Sequence, residues 1–126
     1  MSRKTIKRAG WTLTIILGLL FAFSAFMKLV QDESTLAQAA AMGFAPDTYL
    51  LIGVIEILSL ILFLIPRTGF IGALLLVAYM GGAIASHLQH DEPIAMAVTV
   101  QIVLWITIVF RFPVIKQMLI PVAKSN

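Results

Sequence analysis

The stretch LLIGVIEILSLILFLIP, residues 50 to 66, decides how this chain is read: seventeen positions, almost all aliphatic, with one acid, Glu56, in the middle. Such a run is apolar on every side, so its surroundings are either a large core or lipid. The composition chooses between them. Hydrophobic residues make up 60% of the chain and charged residues 12%, with a mean hydropathy of +1.01. A soluble domain of this size carries about twice that charged fraction. The 126 residues suffice for one domain, spanning 1 to 126.

Working outward from Glu56, the apolar residues fall into four blocks: Trp11 to Val30, Tyr49 to Ile65, Gly69 to Leu88 and Ile94 to Phe110. Each has the length of a membrane-crossing helix at 1.5 Å per residue. Nothing alternates with period two, as a membrane β-barrel requires. The predicted fold is all-α, an integral membrane four-helix bundle. Pro66, Pro93 and Pro113 punctuate the blocks, and Pro66, Arg67 and Thr68 alone separate the second from the third. The first block has the basic prelude of a secretory signal, but it is too long for one, and three further spans follow.

Basic residues favour the cytoplasmic side of short connections. Arg3, Lys4, Lys7, Arg8, Arg67, Arg111, Lys116 and Lys124 fall on one side of a four-span topology, while Asp32, Glu33, Asp47, Asp91 and Glu92 fall on the other. This places both termini in the cytoplasm and suits a bacterial inner membrane. The basic balance then reflects lipid headgroups, and no basic and aromatic recognition pattern for nucleic acid is present.

The first outer connection, QDESTLAQAAAMGFAPD, predicts a short external helix between the first and second spans, with Ser34 as its cap and Gly43 as its stop. It is expected to lie over the bundle as a lid. In the second, QHDEP, Asp91 is expected to cap the fourth helix and Pro93 to sit early within it. PVIKQMLIP, residues 113 to 121, predicts a brief interfacial helix.

Cysteine is absent, which removes disulfides, thiol redox pairs and thiolate metal sites from this chain. His87 and His90 lie three residues apart at one helix end, an arrangement unsuited to axial ligation of haem between two helices. They are read as interfacial polar residues, with no metal or haem site expected. No catalytic residue is assigned, because no nucleophile stands beside a base.

Depth carries more information. Counted inward from the outer face, Ser24, Glu56 and Gln101 all come to about 10 Å, with Lys28 and His87 nearer the rim. Ser24, Lys28, Glu56, His87 and Gln101 are thus expected to form a polar pocket in the outer half of the bundle, above a nearly featureless inner half. An ionisable group inside a membrane costs on the order of 3 kcal/mol and usually has a partner. For Glu56 that partner is Lys28, which either extends inward to the acid or snorkels to the headgroups. A binding role and a purely structural, register-fixing role are both open for this pair. In the third span, Ala78, Gly82 and Ser86 recur every fourth residue, with Gly81 beside them. Small residues so spaced allow close backbone approach in lipid, so this stripe is expected to pack against a neighbouring helix rather than line a ligand groove.

Four stretches carry a resemblance: FSAFMKL ending the first helix, GVIEILSLILFLIPRT in the second, YMGGAIASHL closing the third and LWITIVFRFP closing the fourth. Taken together and in order, they resemble the DoxX-like membrane proteins over nearly the whole chain. The resemblance implies a four-helix bundle in which Lys28, Glu56, Gly81, Gly82 and His87 are the characteristic residues. It also implies an accessory role in a quinone-linked membrane redox complex, since the founding member is the small subunit of a thiosulfate:quinone oxidoreductase. Some relatives are instead associated with protein assembly. Where AFM precedes Lys28 the commoner pattern has a small Gly, and HLQHDEP replaces a more basic stretch after the histidine. The expected function is therefore a non-catalytic accessory subunit, with quinone as the possible ligand and the bilayer, a membrane protein partner or a second copy as its partners. A scaffold for membrane assembly is the alternative. A proton-coupled exporter ranks last, because in small four-helix exporters the key glutamate lies in the first helix.

Overall fold

The computed structural model describes residues 1–120, so Pro121 and Lys124 lie outside the described residues. The described chain forms six helices: α1 (Arg3–Val30), α2 (Glu33–Ala41), α3 (Pro46–Leu64), α4 (Gly69–Gln89), α5 (Ala95–Arg111) and α6 (Pro113–Leu119). α1, α3 and α4 are each long and apolar enough to cross a membrane. α5, with 17 residues, is at the short limit of a span. α6 leaves it at 109°, because Pro113 has no N–H with which to continue the ladder.

α1 and α4 each pack against both α3 and α5, so the four long helices close a ring in the order α1, α3, α4, α5. Leu17, Phe21, Leu60, Phe63, Leu76, Met80, Leu104 and Ile108 fill its centre. The outer faces carry Leu19, Phe23, Ile71 and Ile102, all more than half exposed, which is the belt a protein presents to lipid.

The two connections at the α2 end are built by the same device. Gly43, at φ +76°, ends α2, with its N–H and that of Phe44 donating back to Ala40 and Ala39. Asp91, at φ 55°, ends α4 in the same way, with the Glu92 N–H donating to the His87 carbonyl at 2.9 Å. This is the left-handed helix stop. Two expectations are corrected here. Asp91 terminates α4 and does not cap α5, which begins at Ala95, beyond Pro93. The cap of α2 is Asp32, whose Oδ1 accepts from the Thr35 N–H at 2.8 Å; Ser34 donates its hydroxyl to that same oxygen. A carboxylate two residues earlier outcompetes the serine for the free N–H groups.

The opposite end is tight. A Cβ at Gly72 would collide with the backbone of Phe63, so α3 and α4 meet there with nothing between them. One at Gly10 would lie 3.1 Å from the Arg111 nitrogen of α5. Arg111 itself turns inward: it donates to the Phe63 carbonyl, and its guanidinium lies 4.2 Å from the Trp11 ring centroid and 5.0 Å from that of Phe63. This half of the bundle is not featureless. Its buried Thr14, Ser59 and Thr107 hydroxyls each donate to a carbonyl one turn back on their own helix, so their protons are already used.

Candidate functional site

Near the α2 end the ring opens around Glu56. Lys28 occupies the last turn of α1, one turn beyond Ser24, and its stem crosses α3 at Gly53, where a Cβ would stand 2.7 Å from that of Lys28. The missing side chain lets the ammonium reach inward. Nζ lies 3.0 Å from Glu56 Oε2 and donates to Ser24 Oγ at 2.6 Å. Lys28 therefore extends to the acid and does not snorkel.

A third helix joins from α4. The Tyr79 hydroxyl donates to Glu56 Oε2 at 2.9 Å, and the edge of its ring packs against Phe21 with centroids 6.4 Å apart. The Lys28 ammonium is also 5.4 Å from the Tyr49 ring and 5.9 Å from that of Tyr79, within the range of cation–π attraction. Glu56 is wholly buried and Lys28 is 8% exposed. The carboxylate is loaded on one side only: Oε2 takes both the ammonium and the phenol, while Oε1 has no hydrogen-bond partner.

Beside this cluster is a cavity of about 540 Å³, lined by Ser24, Lys28, Tyr49, Glu56, Tyr79 and His87 among mostly apolar neighbours. Mostly apolar walls with a few convergent polar groups are the usual makings of a small-molecule site. Gln38, Ala41, Met42 and Phe44, from α2 and the loop after it, also line it. α2 thus covers the cavity on its end of the bundle, the position expected of a lid.

Of the five residues expected to form the pocket, the structure brings four to one cavity wall. Gln101 is the exception. Its amide donates to the Val77 carbonyl at 3.2 Å and ties α5 to α4 away from the cavity. Its depth matches that of Glu56, but α5 is turned so that the side chain meets α4. His87 reaches the wall with Nδ1 held 2.6 Å from the Ala83 carbonyl of its own helix. The packing stripe is corrected as well. A Cβ at Gly81 or Gly82 would meet nothing within 4 Å, and Ala78, Gly82 and Ser86 line the cavity. The close helix contact expected of them is made by Gly72, outside the repeat.

Tyr49 and Tyr79 were not singled out from the sequence. Tyr79 had a usable signal: it lies ten residues before the end of α4, about 15 Å inward, where a phenol needs an acceptor and Glu56 is the ionisable acceptor near that depth.

A ring of helices, three of them long and apolar enough to cross a membrane, makes this a small helical integral membrane protein. The chain matches the DoxX-like family over residues 12–110, and it belongs to that family. Neither the curated proteins nor the solved structures offered a match.

Proposed function

We propose that the chain is a non-catalytic accessory subunit of a quinone-linked membrane redox complex, and that the cavity beside Glu56 receives the head of a quinol or quinone. The observation that carries this reading is the unpartnered Oε1 of a wholly buried glutamate on a cavity wall. A buried acceptor left without a donor costs about 1 to 3 kcal/mol, more when charged, so the site gains by accepting a ligand hydroxyl there. A quinol supplies such a hydroxyl, and Phe21, Tyr49 and Tyr79 supply aromatic surface for its ring. Ser24 and the Lys28 ammonium are the polar groups that would answer the far oxygen.

The reading includes an orientation, with both termini in the cytoplasm of a bacterial cell and α2 on the outer face of the inner membrane. The charge distribution supports it. A cysteine replacing Ala41 should then react with an impermeant maleimide on intact cells, and one replacing Lys4 should not.

A scaffold role has its own support, because the Ser24, Lys28, Glu56 and Tyr79 cluster ties three helices together. Calorimetric titration of the detergent-purified chain with a short-chain benzoquinol separates the two. Binding that weakens at least tenfold in Glu56→Gln supports the accessory-subunit reading; no binding by the parent chain favours the scaffold.

A further inference from the structure

The cavity's wall is incomplete on one side. Ala78 and Gly82 both line the cavity and are both exposed, and a Cβ added at Gly82 would meet nothing within 4 Å. Gly82 lies seven residues before the end of α4, about 10 Å inward, and Ala78 is one turn deeper. An opening at that depth faces hydrocarbon, not water. At the end of the bundle Phe44 stacks on Tyr49 with centroids 5.9 Å apart, and both residues line the cavity beneath α2.

These features restrict what can occupy the site. A wholly polar molecule is poorly soluble in the layer that the opening faces, and a wholly apolar one leaves Glu56 Oε1 unanswered. We infer that the cavity is entered from within the bilayer, past Ala78 and Gly82, by an amphiphile whose hydroxyl-bearing head reaches Glu56 Oε1 while its hydrocarbon tail remains in the opening. Gly82 is glycine because a side chain there would occupy the path of the tail. This rests on the reading of the Glu56 cavity as a binding site, and adds to it a lateral route and a required tail.

The test uses two benzoquinols with the same head, one bearing a methyl group and one a decyl tail, titrated into the full chain in detergent. Gly82→Leu should leave the affinity for the methyl compound within about twofold and weaken the decyl compound by about tenfold or more, the order of effect an overpacked side chain produces. Gly81→Leu, on the open face but outside the cavity wall, should bind both as the parent does. Equal binding of the decyl compound by Gly82→Leu and the parent overturns the lateral route and leaves the head site standing. Failure of the parent to bind either compound overturns the head site itself. A monodecanoylglycerol of similar tail length separates the two sources of a hydroxyl head: if it binds tighter than the decyl quinol, the route holds and the quinol head is wrong. Should Gly82→Leu lose both compounds, the parent decides, with a photoreactive group at the tip of the decyl tail. Adducts on residues 78 to 86 support the route, and adducts confined to residues 38 to 44 overturn it.

Discussion

The bundle holds charged side chains inside both ends, Lys28 and Glu56 buried at the α2 end and Arg111 half-buried at the other, and treats them differently. Around Arg111 the helices close until α3 and α4 touch backbone to backbone at Gly72, and the guanidinium is engaged by a carbonyl and by the faces of Trp11, Phe63 and Phe112. One guanidinium nitrogen lacks an acceptor there, and the guanidinium lies among aromatic faces. Around Glu56 a cavity of about 540 Å³ adjoins the acid, and half of the carboxylate is left without a donor. Burial of charge alone therefore does not mark a site in this fold. Each group keeps one polar atom without a partner, so what distinguishes the two ends is what stands beside it: a cavity at Glu56, packed aromatic rings at Arg111.

That contrast is most easily broken at the closed end. Gly72→Leu should abolish the folded monomer in detergent, because no rotamer avoids the Phe63 backbone. The same change at Gly82, where a Cβ meets nothing, should leave the melting temperature near that of the parent. If both variants melt alike, the two ends are not packed as described here.

The next largest effect is expected at the open end. Lys28→Met should destabilise by roughly 3 to 5 kcal/mol, since removing one partner leaves an uncompensated buried charge. Lys28→Met combined with Glu56→Leu should be milder, because buried ion pairs often contribute little net stability. The double variant still strands the Tyr79 hydroxyl, so adding Tyr79→Phe should restore part of the remaining loss. Detergent melts of the single, double and triple variants check the order.

Smaller effects belong to the lid. Gly43→Ala should cost about 1 to 2 kcal/mol for the left-handed backbone alone, and the new methyl would also meet the His90 ring 2.6 Å away. Hydrogen exchange in α2 should rise in this variant while that in α5 stays unchanged. The smallest effect follows from Asp32. The Thr35 N–H, followed by the Thr35 and Ser34 hydroxyls, holds its carboxyl below the ordinary 3.8. A depressed folded-state value means that the cap contributes above the ordinary carboxyl range and is lost as the pH falls through the folded one. α2 amide protection should therefore decline only in acid below about pH 4, and it should not do so in Asp32→Asn.

Much of this was legible in the sequence, and the failures share a cause. The four long helices, three of them long and apolar enough to cross a membrane by themselves, the short helix over the bundle and the Lys28 to Glu56 pair follow from hydropathy, from helix formers bounded by Gly43, and from the cost of an unpartnered acid in lipid. Counting residues along a helix measures depth, but it does not fix which way a side chain points around the axis. Gln101 was correctly placed in level and wrongly placed in direction. The repeat of Ala78, Gly82 and Ser86 says that one face of α4 is small, not what that face meets. Gly72, with no comparable repeat, makes the tight contact because the short turn through Pro66, Arg67 and Thr68 holds α3 and α4 together there. Tyr79 was missed because its phenol was not read as a group that needs an acceptor at that depth.

The central claim is that Glu56 is kept incompletely satisfied so that a ligand can complete it, and ligand-induced stabilisation of the purified chain tests this most directly. A molecule that binds only the folded state raises stability by about 2.7 kcal/mol at a hundred times its dissociation constant. The account predicts that a decyl benzoquinol raises the melting temperature of the parent, and that the shift disappears when Lys28→Met, Glu56→Leu and Tyr79→Phe are combined. The same upward shift in the triple variant, or none in the parent, would contradict it.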